Sequence, residues 1–361
     1  MTLLIDLIVG ARPNFMKVAP IIRALEGHRR FGYRLVHTGQ HYDSRMSGDF
    51  FEQLGIPAPD VNLEVGSGTH AQQTAAIMVK YEQLLLQSRS DVCVVLGDVN
   101  STMACSIAAQ KLGVPVAHVE AGIRSGDWSM PEEINRMVTD AISNWFFTTS
   151  KVAGDNLRRA GIAEDRIFFV GNTMIDTLLD NKDRLRPPAF AAKMELSSKD
   201  YVVLTLHRPS NVDEVANLET ILRTVSEGTR GKPVIFPVHP RTAGTIRALP
   251  KPPQGISFVD PQPYLEFNWL VQNAKGVITD SGGITEEATV LGVPCMTIRT
   301  TTERPETVTI GTNELIGTDP AALAEALGRL FDGKWKKGGI PDMWDGRAAI
   351  RIVEALDQHF A

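Results

Sequence analysis

The stretch VCVVLGDVNSTMACSIAAQKLGVPVAHVEAG, residues 92–122, holds a complete structural repeat. Val92 to Leu96 form an unbroken apolar run of strand length, a polar turn follows, STMACSIAAQKLG has helical composition, and PVAHVEAG is a second apolar run closed by Glu120 and Gly122. Strands that are apolar throughout and separated by helices belong to parallel sheets covered on both faces. The same alternation runs outward in both directions. LLIDLIVG, YRLVHTG, NWFFTTS and RIFFVGN are further strand candidates in the first half. In the second half they are YVVLTLH, VIFPVH, ISFVD, GVITD, VPCMTIR and NELIG, with helical segments such as NLETILRTVSEG and AALAEALGRLFDG between them. The predicted fold class is α/β, with two Rossmann-like doubly wound domains facing each other across a cleft.

A chain of 361 residues suits two such domains. Residues 180–200, DNKDRLRPPAFAAKMELSSKD, break the alternation with charge and two prolines and read as a linker. The expected division is 1–172 and 173–345; the closing amphipathic segment, about 346–361, can cap its own domain or cross back to the first. A hydrophobic fraction of 43% and a charged fraction of 22% are those of a globular protein. The net charge of −5 supplies no basic field for nucleic acid. MTLLIDLIVG lacks a positive n-region and carries Asp6 inside its apolar run, so it reads as a first strand rather than a signal peptide, and no run is long enough to cross a membrane. Three widely spaced cysteines fit neither a disulfide framework nor a zinc site, which makes a cytoplasmic location the expectation.

In open α/β sheets ligands bind beyond the carboxyl ends of the strands. Those ends carry Gly10, Asp98, Glu120, His207, His239, Asp280, Ser281 and Arg299. Glu120 opens the charged stretch HVEAGIRSGDWSMPEEINR, residues 118–136. From Ile134 onward Ile134, Met137, Val138, Ala141 and Ile142 keep a helical period, so Pro131, Glu132 and Glu133 form a first turn. Dipole compensation accounts for Glu133 there, and Glu132 stands four residues before Arg136 in the manner of a surface pair. Neither reading covers Glu120 or Asp98, carboxylates closing apolar strands where proton transfer is a natural use.

Two loops suit anions. GARPNFMKVAP, residues 10–20, brings Arg12 and Lys17 to a helix start, without the G-x-G-x-x-G pattern of dinucleotide sites. TDSGGITEEATVLG, residues 279–292, runs a strand into Ser281, Gly282 and Gly283 before a helix expected to open at Ile284, with Glu286 and Glu287 in its first turn. Backbone N–H groups of such a loop aim at an anion, a diphosphate fitting well; a plain Ser281 cap is the alternative. RTTTERPE adds Arg299 and Arg304, suited to bidentate phosphate contacts. His207, followed by Arg208, closes the first strand of the second half; His118, His37 and His239 read equally as satisfied strand-end histidines. No metal motif, serine elbow or nucleophilic cysteine setting is present.

Taken in order, GARPNFMKVAP, HTGQHYD, GDVNST, HVEAGIRSGD, MPEEINR, VGNTMIDTL, HRPSN, DSGGITEEA and TTERPET resemble the non-hydrolysing UDP-N-acetylglucosamine 2-epimerases over nearly the whole chain. The resemblance implies a glycosyltransferase-B type fold with the active site in the cleft, no NAD, no metal and a homodimer. It implies elimination of UDP from C1 as the C2 proton leaves, a 2-acetamidoglucal intermediate, and re-addition to give UDP-N-acetylmannosamine for cell-envelope polysaccharides. By matching motifs it makes Asp98, Glu120 and Glu132 the acid–base residues and His207 a catalytic or diphosphate contact. It assigns Arg12, Lys17 and Arg136 to UDP or its phosphates, Gln262 and Phe267 to the uracil region, and Ser281, Gly282 and Gly283 to the diphosphate. Glu287 falls to the ribose and Arg304 to the phosphate side. TGQHYDSRM and HRPSNVDE depart from the TGQHRE and HRRENFG forms of many bacterial members, which are tied to a second, activating UDP-N-acetylglucosamine, and the HYD form is similar to archaeal-type members and to relatives acting on diacetamido uronic acid sugars. A glycosyltransferase of the same architecture, a hydrolysing epimerase and a nucleotide-sugar binder are the competing readings.

Overall fold

The computed structural model describes residues 2–39, 52–250 and 253–360, and the side chains of Arg12 and Arg241 also lie outside the described set. The chain divides into two compact units, Met1–Asp180 with Asp342–Ala361, and Asn181–Pro341.

The first unit is a seven-stranded sheet whose strands are β1 (Leu3–Val9), β2 (Phe31–His37), β3 (Val61–Asn62), β4 (Val92–Leu96), β5 (Val116–Val119), β6 (Trp145–Thr148) and β7 (Ile167–Phe169). Their order is β3-β2-β1-β4-β5-β6-β7, and every pairing is parallel. The switch of direction falls between β1 and β4, whose central residues are apolar on both sides because helices cover both faces. On one face α2 (His70–Gln87) and α3 (Asn100–Lys111) bury Ile77, Tyr81, Ala104 and Cys105 against Ile8, Val36 and Val95. The exception inside β1 is Asp6, fully buried yet held by both Arg34 Nε (2.7 Å) and Nη2 (2.9 Å) and by the Tyr81 hydroxyl (2.9 Å). The remaining helices used below are α1 (Arg12–Leu25), α4 (Pro131–Ile142), α5 (Lys151–Arg159) and α6 (Thr173–Asn181).

The second unit is a six-stranded parallel sheet in the order β10-β9-β8-β11-β12-β13. Its strands are β8 (Val202–Thr205), β9 (Val234–Pro237), β10 (Ile256–Val259), β11 (Gly276–Thr279), β12 (Cys295–Thr297) and β13 (Asn313–Leu315), with the switch between β8 and β11. α7 (Phe190–Lys193) precedes them, α8 (Pro209–Val212), α9 (Val215–Gly228), α10 (Pro240–Arg247), α11 (Tyr264–Asn273), α12 (Gly282–Val290) and α13 (Pro305–Thr309) run between them, and α14 (Pro320–Phe331) follows. All twelve strands expected from the sequence form; the two-residue edge strand β3 is additional.

Two boundaries differ from the expectation. The first unit ends at Asp180 rather than residue 172, because α6 packs on it: Thr177 Oγ1 donates to Met16 O at 2.6 Å and Asp180 pairs with Arg23 at 2.5 Å. Residues 181–200 are not a free linker, since Phe190, Met194 and Leu196 pack on the core of the second unit and Arg186 pairs with Glu266 at 2.7 Å. The last helix, α15 (Ala348–His359), belongs to the first unit from Asp342 onward. It packs on α1, Arg30 Nη1 lies 2.7 Å from Asp357 Oδ1, and the buried Trp344 donates to Thr149 O at 2.9 Å.

Candidate functional site

In the first unit the polar groups gather at the switch point. Lys17, on the first turns of α1, places Nζ 2.5 Å from Glu120 Oε2, and both side chains are almost wholly buried. Asn14 on the same helix knits the neighbouring turns, donating to Leu96 O (2.9 Å) and accepting from the N–H groups of Gly10 (3.2 Å) and Ala11 (3.0 Å). Gly97 has φ +67°, and an added Cβ would stand 2.9 Å from Lys17 Nζ and 3.5 Å from Glu120 Oε2, so glycine leaves the room the ion pair occupies. Gly10 permits close approach: a Cβ there would fall 2.1 Å from Ser101 Oγ.

Asp98, at the end of β4, meets Arg136 Nη2 at 2.5 Å, and Arg136 Nη1 meets Glu133 Oε2 at 2.8 Å. This corrects the surface reading of Arg136, which is 3% exposed and pairs with Asp98 and Glu133. Glu133 does more than compensate a dipole, since its carboxylate accepts from Ser125 N, Ser125 Oγ and Gly126 N and so folds the 125–126 turn onto α4. Burial pushes its pKa up, but these bonds and Arg136 outweigh it and hold the group below its ordinary value. Glu132 stands half-buried beside it.

The helix itself is inverted relative to its apolar pattern. Ile134 and Met137 are 46% and 38% exposed, while Glu133, Asn135, Arg136, Thr139 and Asp140 face inward. Asn135 donates to Asp98 O at 2.8 Å. The inward stripe has helical spacing of its own at Glu133, Arg136 and Asp140, a signal legible in the sequence beside the apolar one.

In the second unit the switch joins His207, just beyond β8, to Asp280, just beyond β11. Asp280 is fully buried and was not among the expected site residues, although its place at a strand end marked it. It accepts from His207 N (3.1 Å), Arg208 N (2.9 Å) and Asn211 Nδ2 (3.0 Å), and its Oδ1 lies 2.9 Å from His207 Nδ1. Burial pushes its pKa up; the His207 bond and charge, with the Arg208 and Asn211 bonds, more than reverse this and hold it low. The His207 side chain keeps 41% exposure, a ring fixed at one nitrogen and open on the other side.

Helix α12 opens at Gly282, not Ile284, so Glu286 and Glu287 sit one turn further in and are buried rather than compensating a dipole. Ser281 is its N-cap residue without a capping side-chain hydrogen bond. Glu286 Oε1 pairs with Arg304 Nε at 2.5 Å, and Glu303 with Arg299 at 2.7 Å. A Cβ on Gly282 would stand 3.2 Å from Glu303 Oε1. Burial pushes Glu303 up, yet the bond and charge of Arg299, with Arg304, bring its pKa down to about 2. Glu287 Oε1 accepts from Asn268 Nδ2 at 3.4 Å, while Tyr264, buried beside it, has its phenol pushed up by burial and then by the Glu287 charge. Gln262 donates to Asp260 O at 2.6 Å, and Phe267 packs half-buried on the core of the unit.

The expected residues therefore fall into two sets: Lys17, Asp98, Glu120, Glu132 and Arg136 in one unit, and His207, Gln262, Phe267, Ser281, Gly282, Gly283, Glu287 and Arg304 in the other. Arg12 opens α1, with its side chain outside the described residues, as is HTGQHYD from residue 40 on. Among the described residues no cluster of three or more His, Cys, Asp or Glu side chains could hold a metal ion, and no helix is long and apolar enough to cross a membrane.

A family model described as UDP-N-acetylglucosamine 2-epimerase matches residues 23–357. A curated relative of that name from Methanocaldococcus jannaschii is 42% identical, with 98% of each chain covered. The UDP-2,3-diacetamido-2,3-dideoxy-D-glucuronate 2-epimerase of Pseudomonas aeruginosa is 40% identical over 97% of this chain and 98% of its own. The crystal structure of the Methanocaldococcus jannaschii UDP-GlcNAc 2-epimerase in complex with UDP-GlcNAc and UDP matches at a TM-score of 0.88 and 42% identity, covering 99% of this chain and all of that one. Two doubly wound units with polar switch points, matched almost end to end in sequence and in shape, establish that the chain belongs to the UDP-N-acetylglucosamine 2-epimerase family.

Proposed function

We propose that this epimerase interconverts UDP-N-acetylglucosamine and UDP-N-acetylmannosamine by elimination and re-addition of UDP. A C2 hydrogen is weakly acidic, so its removal needs the C1–O bond well broken. The C2–H electrons then form the C1=C2 double bond of 2-acetamidoglucal while the diphosphate departs with the C1–O pair. Return of a proton on the opposite face and of UDP to C1 completes the change. Positive charge builds on the sugar and negative charge on the diphosphate, so carboxylates near the ring and cations near the diphosphate stabilise the transition state.

One observation carries this reading: Asp98 and Glu120, beyond adjoining strands, are each paired with a cation, Arg136 and Lys17, at 2.5 Å. In it Asp98, Glu120 and Glu132 share the proton transfers, His207 contacts the reacting region or the diphosphate, and Arg12, Lys17 and Arg136 bind phosphate. Ser281, Gly282, Gly283 and Arg304 hold the diphosphate, Glu287 the ribose and Gln262 with Phe267 the uracil. A second substrate, the diacetamido uronic acid sugar, is favoured by the nearly equal identities of 42% and 40% to relatives named for each sugar.

The test is NMR of either UDP-sugar in D2O. Epimer carrying deuterium at C2 with little free UDP is expected; retained hydrogen defeats elimination, and free sugar as the main product favours a hydrolase. Asp98→Asn and Glu120→Gln are expected to lose about 100-fold or more in kcat while still binding UDP; near-normal turnover in either removes its proton-transfer role. The partner in this reading is a second copy of the chain, supported by the apolar residues α4 turns outward. The place of action is the cytoplasm, supported by three cysteines that are buried and free, and cell fractionation tests it.

A further inference from the structure

His118 and Asp140 are fully enclosed, ionisable, and used by none of the binding or proton-transfer roles above. The His118 ring lies in β5 with Nδ1 2.7 Å from Asp140 Oδ1 on α4 and Nε2 2.8 Å from the carbonyl oxygen of Gly97. One ring so placed joins the Asp140 carboxylate on α4 to the carbonyl that precedes Asp98. Asp140 is the ionised partner: burial pushes its pKa up, but the His118 bond and charge, joined by Arg124 at 2.6 Å, outweigh that and hold it below its ordinary value. Its Oδ2 also accepts from Gly122 N at 3.1 Å.

The two ends of this chain of bonds are the turns that carry the acid–base residues. Gly97 precedes Asp98, and Gly122 follows Glu120 by two positions. Both turns are held in unusual backbone, with φ +67° at Gly97, +77° at Gly122 and +69° at Glu120, where a side chain makes the left-handed region costly. Such conformations persist only when surrounding bonds fix them.

We propose that His118 and Asp140 are positioning residues that tie the Asp98 turn to the Glu120 turn and set the spacing of the two carboxyls for proton transfer at C2. The inference rests on the reading of Asp98 and Glu120 as acid–base groups. The decisive measurement is one that loss of stability does not move, a fall in kcat with KM held.

In the full-length protein His118→Gln and Asp140→Asn are each expected to lower kcat about 100-fold, the cost of a small misplacement of reacting groups, with KM and UDP affinity unchanged. Should His118→Gln fail to fold, Asp140→Asn carries the test. A kcat for Asp140→Asn within about threefold of normal overturns the proposal, as does a loss confined to KM or UDP affinity. If Asp98→Asn and Glu120→Gln keep full turnover, the underlying reading fails and the positioning role with it, whereas loss of turnover in those two with normal turnover in Asp140→Asn ends the positioning role alone.

Discussion

At the scale of single residues, the site depends on where side chains are absent as much as on where charges are present. Gly97 leaves space for the Lys17–Glu120 pair, and Gly122 lets the next turn pass α5, where an added Cβ would fall 2.2 Å from Ala153 O. That contact is backbone, which cannot swing aside, and φ +77° adds its own penalty. Gly122→Ala is therefore expected to destabilise the first unit by about 2–3 kcal/mol, read from urea unfolding, and to lower kcat by moving Glu120. A variant with unchanged stability would mean that the turn relaxes freely. The carboxylates show the same dependence on surroundings. Glu133 and Asp280 are held ionised by N–H groups and cations, and both build loops.

At the scale of elements, α4 and α15 are defined by what they bury. The polar stripe of α4 supplies Arg136, Asn135 and Asp140 to the strand ends, which is why its apolar residues are left outside. Helix α15 is anchored at its start by Asp176 of α6, whose carboxylate accepts from Ala348 N (3.1 Å) and Ala349 N (2.7 Å). Burial pushes the Asp176 carboxyl up to about 6, against the lowering effect of those two bonds. A carboxyl raised on folding contributes stability that is complete below the unfolded value and lost as pH rises through the folded one. Relative to Asp176→Asn, the wild-type protein should thus lose about 2 kcal/mol between about pH 4 and about pH 7. Paired unfolding curves at the two pH values measure this; a flat difference would show that the cap bonds fully offset the burial.

At the scale of the whole molecule, the second copy proposed above has a testable surface in the exposed apolar residues of α4. A groove of about 400 Å³ between α2, α3 and α4 is lined by Ala71, Met78, Met103 and Ile134, and Met137 stands exposed on the same helix as Ile134. If a second copy covers it, Ile134→Lys with Met137→Lys should convert a dimer to monomer in sedimentation, because a cluster of unpaired lysines is costly to bury. A dimer that survives both changes would place the interface elsewhere.

The sequence by itself determined the strands, the parallel sheets and the polar strand ends, because apolar runs of strand length and their closing residues are local properties. The positions of Asp98, Glu120, His207 and the Ser281–Gly283 loop at those strand ends were legible for that reason. It did not show which face α4 buries, since apolar and polar stripes of equal period compete and only the neighbouring strand ends, with unpaired carbonyls and carboxylates to satisfy, decide between them. Nor did it show the return of α15 to the first unit, the extension of that unit to Asp180, or the bonds made by Asp140 and Asp280. Those depend on contacts between residues tens to hundreds of positions apart, which exist only once the sheets have formed.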